Sequence, residues 1–181
     1  MRTAVRKVIV FETKPATEWL CGGPVQKVSP RYEHALFQGL LFTRLHEWAA
    51  GRGRIGTEWR FWVTPEGEEE RYVVPDVAYV SYERLPREAR KEASEPHLAP
   101  DVVFEVRSRN DRNLYVEHKV AVYLRAGTKL VCIIDPYGRR LIAHDTEEMR
   151  ILGETDTFTH PALPQFELVL PELFAALDEG R

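Results

Sequence analysis

The chain has 181 residues, with 25 lysines and arginines against 28 aspartates and glutamates, a formal charge of −3 and a hydrophobic fraction of 44%. A chain of this length buries about 70% of the surface its unfolded form exposes, so a core needs neither disulfides nor a structural metal, and residues 1–181 are expected to form one domain. The acidic balance excludes coating of a polyanion by net charge alone, and no apolar run nears the ~20 residues of a membrane span, so a cytoplasmic chain with no membrane partner is expected.

Residues 1–30 are irregular and punctuated by Pro15, Gly22, Gly23, Pro24 and Pro30, with apolar pieces at 8–11 and 25–28 that can serve as strand fragments. From 31 to 50, Leu36, Phe37, Leu40, Leu41, Leu45 and Trp48 recur at three- and four-residue spacing, which predicts an amphipathic helix closed by Gly51 and Gly53. Glu33 and His34 fall in its first turn. Residues 55–64 and 72–81 flank the turn Pro65-Glu66-Gly67 and predict a hairpin, interrupted on its second strand by Pro75. The charged stretch 83–100 reads as a surface connection with a short helix at 87–92. Residues 101–108 predict a strand, 113–126 a helix with Val116, Val120, Tyr123 and Leu124 on one face, and 130–134 a wholly apolar strand: a βαβ-like unit. A strand at 140–144, a short strand at 167–169 and a helix at 171–177 close the chain. Of the two cysteines, Cys132 lies in the apolar run, and neither has the spacing of a zinc site, which fits a reduced compartment.

Three residues carry candidate chemistry. Asp76 follows the proline that breaks strand pairing. Glu105 lies within an otherwise apolar strand whose period puts Val103, Glu105 and Arg107 on one face and Val102, Phe104 and Val106 on the other. A carboxylate buried there must be paired, metal-bound or neutralised; Arg107 is one candidate partner and a metal ion is another. Mg²⁺ takes hard oxygen ligands and keeps several waters, so one or two carboxylates and a substrate phosphate suffice. Lys119, on the following helix beside Val116, Val120 and Tyr123, either reaches the end of that strand or runs its stem along the apolar face.

These residues meet a family pattern. Val74-Pro75-Asp76-Val77, Pro100-Asp101-Val102-Val103-Phe104-Glu105-Val106-Arg107-Ser108, Lys119-Val120-Ala121-Val122-Tyr123-Leu124-Arg125-Ala126-Gly127 and Ile133-Ile134-Asp135-Pro136 stand in an order that resembles the Uma-two-like family of candidate restriction endonucleases. Ser29-Pro30 before Glu33-His34 is similar to that family's opening, and Leu163-Pro164-Gln165-Phe166-Glu167-Leu168 to its close, so the likeness spans about residues 25–177. The resemblance implies an α/β (α+β) fold with a restriction-endonuclease-like PD-(D/E)xK core: a mixed central sheet flanked by helices, here preceded by a hairpin-rich N-terminal extension.

The resemblance further implies Asp76 and Glu105 as ligands of Mg²⁺, or of Mn²⁺ in its place, and a catalytic lysine moved from the strand, where Arg107 stands, to Lys119 on the helix. Glu33 resembles the acidic residue such cores carry on an early helix, although a helix N-terminus favours a carboxylate in any case. His34 is similar to a histidine of the opening motif and can equally be structural. The family pattern has proline after the serine where Arg109 follows Ser108; Arg107, Arg109 and Arg112 then cluster and can contact phosphates, or pair with Asp111 and Glu117. The implied activity is metal-dependent hydrolysis of DNA by an activated water. The alternative is a catalytically inactive nucleic-acid-binding or interaction module on the same core, since fold does not fix function. Trp59, Phe61 and Trp62 mark a candidate homodimer surface or an ordinary aromatic core.

Overall fold

The computed structural model describes residues 13, 15–27, 29–109 and 111–179. Along the chain run β1 (Thr17–Leu20), β2 (Gly23–Gln26), α1 (Tyr32–Ala49), β3 (Gly53–Thr57), β4 (Phe61–Val63), β5 (Arg71–Val73), β6 (Val77–Ser81) and β7 (Val102–Val106). Then follow α2 (Asn113–Arg125), β8 (Leu130–Asp135), β9 (Arg140–His144), β10 (Met149–Gly153), β11 (Thr157–Phe158), β12 (Leu168–Val169) and α3 (Leu170–Ala175).

The apolar run at 130–134 becomes β8, an interior strand of a six-stranded sheet ordered β10-β9-β8-β7-β6-β3. β7 and β8 are parallel, and every other neighbouring pair is antiparallel. A parallel pair needs a crossover, and α2 provides it. The mixed sheet with helices on both faces is the expected α+β architecture.

The two-residue period of β7 divides the core. Val102, Phe104 and Val106 face the cluster that contains Phe37, Leu41 and Leu45 of α1 and Leu173 and Phe174 of α3. Val103 faces the other cluster, with Val120, Val122 and Tyr123 of α2 and Phe61, Val63 and Val73 of β4 and β5. Glu105 shares Val103's side, so it lies under α2.

The predicted hairpin forms but divides. β3 pairs with β6 in the central sheet, whereas β4 pairs with β5 in a sheet of their own. The break falls at Glu58, whose φ is +49° and whose N–H faces the Asp76 carbonyl, next to Pro75, which has no N–H to give a ladder. The expected helix at 87–92 is a succession of turns; its charged residues offer no apolar stripe to bury. Three strands are additional to the prediction: β1, β10 and β11. The β1–β2 hairpin turns at Cys21 and Gly22, with φ of +50° and +77°, the left-handed conformation that a tight two-residue turn needs. The strand fragment expected at 8–11, and Val28 of the fragment at 25–28, lie outside the described residues. The aromatic hairpin is used within the chain: Phe61 is fully buried, Trp59 packs on it at 4.5 Å, and Trp62 lies 5.1 Å from Tyr72. No helix among the described residues is long and apolar enough to cross a membrane.

Candidate functional site

The site begins where the β6–β7 ladder ends. Their last pair is Val77 with Phe104, so the next inward N–H of β7, that of Val106, has no strand partner. The Asp76 carboxylate takes it: Val106 N donates to Oδ2 at 2.8 Å. His34 Nε2, from the first turn of α1, donates to the same oxygen at 3.0 Å, and Lys27 Nζ donates to Oδ1 at 2.6 Å. Burial alone would raise the Asp76 carboxyl, but Lys27 and His34 outweigh it and hold the group well below the ordinary carboxylate range. His34 is raised in turn: burial opposes its charge, and the Asp76 hydrogen bond more than compensates.

Glu105 is held from the helix above it. Lys119 and Tyr123 are four residues apart on one face of α2, and both donate to Glu105 Oε1, at 2.8 Å and 2.9 Å. Lys119 Nζ also lies 3.0 Å from Glu18 Oε2 on β1, while Glu18 Oε1 accepts the Val74 N–H at 2.7 Å. Burial pushes the Glu105 carboxyl up to about 8; Lys119 opposes the rise and the neighbouring Asp76 adds to it. The Lys119 ammonium is held above its ordinary value because Glu105 and Glu18 together outweigh the cost of burying it.

Glu18, Lys27, His34, Asp76, Glu105 and Lys119 thus line one cavity of about 250 Å³ beneath the β1–β2 hairpin. Two carboxylates that converge without sulfur ligands form a hard-oxygen donor set suited to Mg²⁺ or Mn²⁺. No group of three or more His, Cys, Asp and Glu among the described residues forms a metal cage; Mg²⁺ needs no such cage when waters and a phosphate complete its shell.

The expected site residues therefore part company. Asp76, Glu105, Lys119 and His34 come together, and Arg107 and Arg112 line the same cavity. Arg107 is not the partner of Glu105. Its guanidinium donates to Asn113 Oδ1 and lies 3.9 Å from Asp135 Oδ2, while Lys119 and Tyr123 occupy Glu105. Arg109 sits over the Tyr137 ring, 5.5 Å from its centroid, and does not line the cavity. Glu33 does not line it either; the early acidic residue that does is Glu18.

A family model described as Uma2, "Putative restriction endonuclease", matches residues 5–175. The chain belongs to the Uma2 family. Its fold is also similar to that of a crystal structure described as a "putative nuclease belonging to DUF820" from Anabaena variabilis, with a TM-score of 0.81, 24% identity, and coverage of 93% of this chain and 94% of that one. No curated protein matches the chain.

Of the residues bonded to Asp76, Glu105 or Lys119 in this Uma2 chain's cavity, sequence reasoning missed Glu18, Lys27 and Tyr123. Tyr123 carried a signal, being one turn beyond Lys119 on the same helix face. Glu18 offered only a carboxylate in a short segment before the Cys21-Gly22-Gly23 turn, and Lys27 offered none, since both reach the site through tertiary contacts.

Proposed function

We propose that this chain is an endonuclease that hydrolyses DNA phosphodiester bonds with Mg²⁺, for which Mn²⁺ can substitute, and with water as the nucleophile. Asp76 and Glu105 are the proposed metal ligands. The single observation that supports the reading best is convergence: a buried carboxylate just before β6, another on β7 and a lysine ammonium from the crossover helix line one cavity.

A divalent metal held by Asp76 and Glu105 would polarise a phosphodiester oxygen and lower the pKa of a bound water. The remaining work falls to the chain. The Val106 N–H and His34 fix the Asp76 carboxylate in orientation. Lys119 presents its ammonium beside Glu105, where it stabilises negative charge that develops on the phosphate oxygens. Glu18 and Tyr123 keep that ammonium and the Glu105 carboxylate in register. Arg107 and Arg112, on the cavity wall, reach flanking phosphates, so an acidic chain meets DNA through local charge.

One observation favours the second reading, an inactive nucleic-acid-binding module: a lysine ammonium is already bonded to Asp76. Incubation with circular and linear DNA in Mg²⁺ or Mn²⁺ separates the two. The enzyme cleaves DNA, is stopped by chelation, and loses activity in Lys119→Met and Asp76→Ala. A folded chain that retains DNA but cuts none with either metal overturns the nuclease reading.

A further inference from the structure

The cation that neutralises Asp76 belongs to the protein itself, and its surroundings show what it can do. Lys27, just after β2, places Nζ 2.6 Å from Asp76 Oδ1, 3.0 Å from the Val74 carbonyl, and 2.9 Å and 2.8 Å from the two Glu58 carboxylate oxygens. An ammonium has three N–H donors. Lys27 faces four acceptors, so one contact is dispensable, and release from Asp76 still leaves three.

Asp76 is arranged asymmetrically. Oδ2 is engaged by Val106 N–H and His34, whereas Oδ1 meets Lys27. Oδ1 is therefore the oxygen through which Asp76 can take a further cation, and Lys27 stands on it. A divalent ion and an ammonium on one carboxylate oxygen repel each other at close range, so both cannot hold it well.

Glu58 is built to keep the displaced ammonium. It occupies the break between β3 and β4, and the Gln38 amide donates both to Glu58 Oε1 and to the Asp76 carbonyl at 3.0 Å, which ties the two positions together. Its side chain is 44% exposed where that of Asp76 is 3% exposed, so an ammonium drawn towards Glu58 moves towards water. Lys27 is carried by the two-stranded β1–β2 sheet, which shares no ladder with the central sheet, so its side chain can shift without disturbing β6 or β7.

We propose that Lys27 is an internal counter-cation that competes with the divalent metal for Asp76, and that Glu58 receives its ammonium when metal binds. The proposal rests on Asp76 and Glu105 being metal ligands. Without metal, Lys27 holds Asp76 in position and neutral in net effect; with metal, the Lys27–Glu58 pair closes the side of the site. Metal affinity is then an exchange constant, set by how readily one ion pair is traded for another.

The test is calorimetric titration of the full chain with Mn²⁺ alone, on the wild type, Lys27→Met, Glu58→Gln and Asp76→Asn, with circular dichroism to confirm folding. Lys27→Met is expected to bind Mn²⁺ about tenfold or more tightly than wild type, the scale of one close charge interaction. Glu58→Gln, which leaves Lys27 on Asp76, is expected to bind about tenfold more weakly. Binding by Lys27→Met with none by wild type also supports the proposal, as the case in which the exchange lies wholly towards lysine. Wild-type binding that depends on Asp76 but is unchanged or weakened in Lys27→Met overturns the role of Lys27 and leaves the metal site standing. No Mn²⁺ binding by any folded variant overturns the metal site and this proposal together. Should Lys27→Met fail to fold, Lys27→Gln removes the same charge and the same outcomes apply.

Discussion

Glu105→Gln discriminates between two accounts of the buried carboxylates through the sign of a stability change. In the metal-free protein the Glu105 carboxyl is raised from 4.5 to about 8, chiefly by burial. Between these two values the folded state keeps a proton that the unfolded state has released. Below about pH 4.5 both states are protonated and Glu105 costs nothing; as pH rises towards 8 the unfolded state gains an advantage, and above 8 the penalty is complete. At about 1.4 kcal/mol per pH unit the span amounts to roughly 5 kcal/mol as an upper bound. A glutamine keeps the shape and an acceptor for Lys119 and Tyr123 but carries no charge. Urea denaturation in chelator, from pH 5 to pH 8.5, should thus find Glu105→Gln near wild type at pH 5 and increasingly more stable above it. An ordinary buried ion pair with Lys119 predicts the reverse, since removal of one partner of such a pair costs about 3–5 kcal/mol. A variant less stable than wild type throughout, by a constant amount, would refute the reasoning.

The other expectations concern different parts of the molecule. Lys119→Met should lower cleavage by about 10²–10³-fold, the scale of losing one donor that stabilises developing charge, while its circular dichroism spectrum matches wild type. Arg112→Ala should weaken DNA binding uniformly across sequences and reduce the slope of affinity against salt by about one, as fluorescence anisotropy would record; Arg109→Ala, outside the cavity, should leave that slope unchanged. Phe37 is fully buried and lies 5.4 Å from Phe174, so Phe37→Ala should cost about 3–5 kcal/mol in urea denaturation. Asp101 is lowered because the Ser81 N–H, Lys129 and Arg84 outweigh its burial. Its stabilising contribution is present above about pH 4 and lost as pH falls through the lower folded value, so acid unfolding of Asp101→Asn should show a shallower pH dependence than wild type.

The parts of this fold that were legible in the sequence are those where burial writes a period. α1 and α2 repeat their apolar residues every three or four positions, and β8 is apolar from Leu130 to Ile134 because both of its faces are covered. Pro75 announced the break that aims Asp76, and Glu105 stood out because a carboxylate does not belong in an apolar strand. The rest of the site was hidden for a physical reason. Glu18 and Lys27 lie on a hairpin with little apolar alternation, and their partners, Lys119, Val74, Glu58 and Asp76, are distant in sequence. Glu33 drew attention because a helix N-terminus favours a carboxylate, a local preference that carries no information about the cavity. Arg107, the alternative partner for Glu105, lines the same cavity but is taken by Asn113 and Asp135, and Lys119 reaches Glu105 from the helix instead.

The central claim is that Asp76 and Glu105 together hold a divalent cation. Crystals grown or soaked with Mn²⁺ test it most directly by anomalous diffraction. The account predicts one strong peak within about 2.0–2.6 Å of Asp76 Oδ1 and a Glu105 carboxylate oxygen, with the Lys27 ammonium withdrawn from Asp76 onto Glu58. A map with no peak at these oxygens at saturating Mn²⁺, and Lys27 still bonded to Asp76, contradicts it.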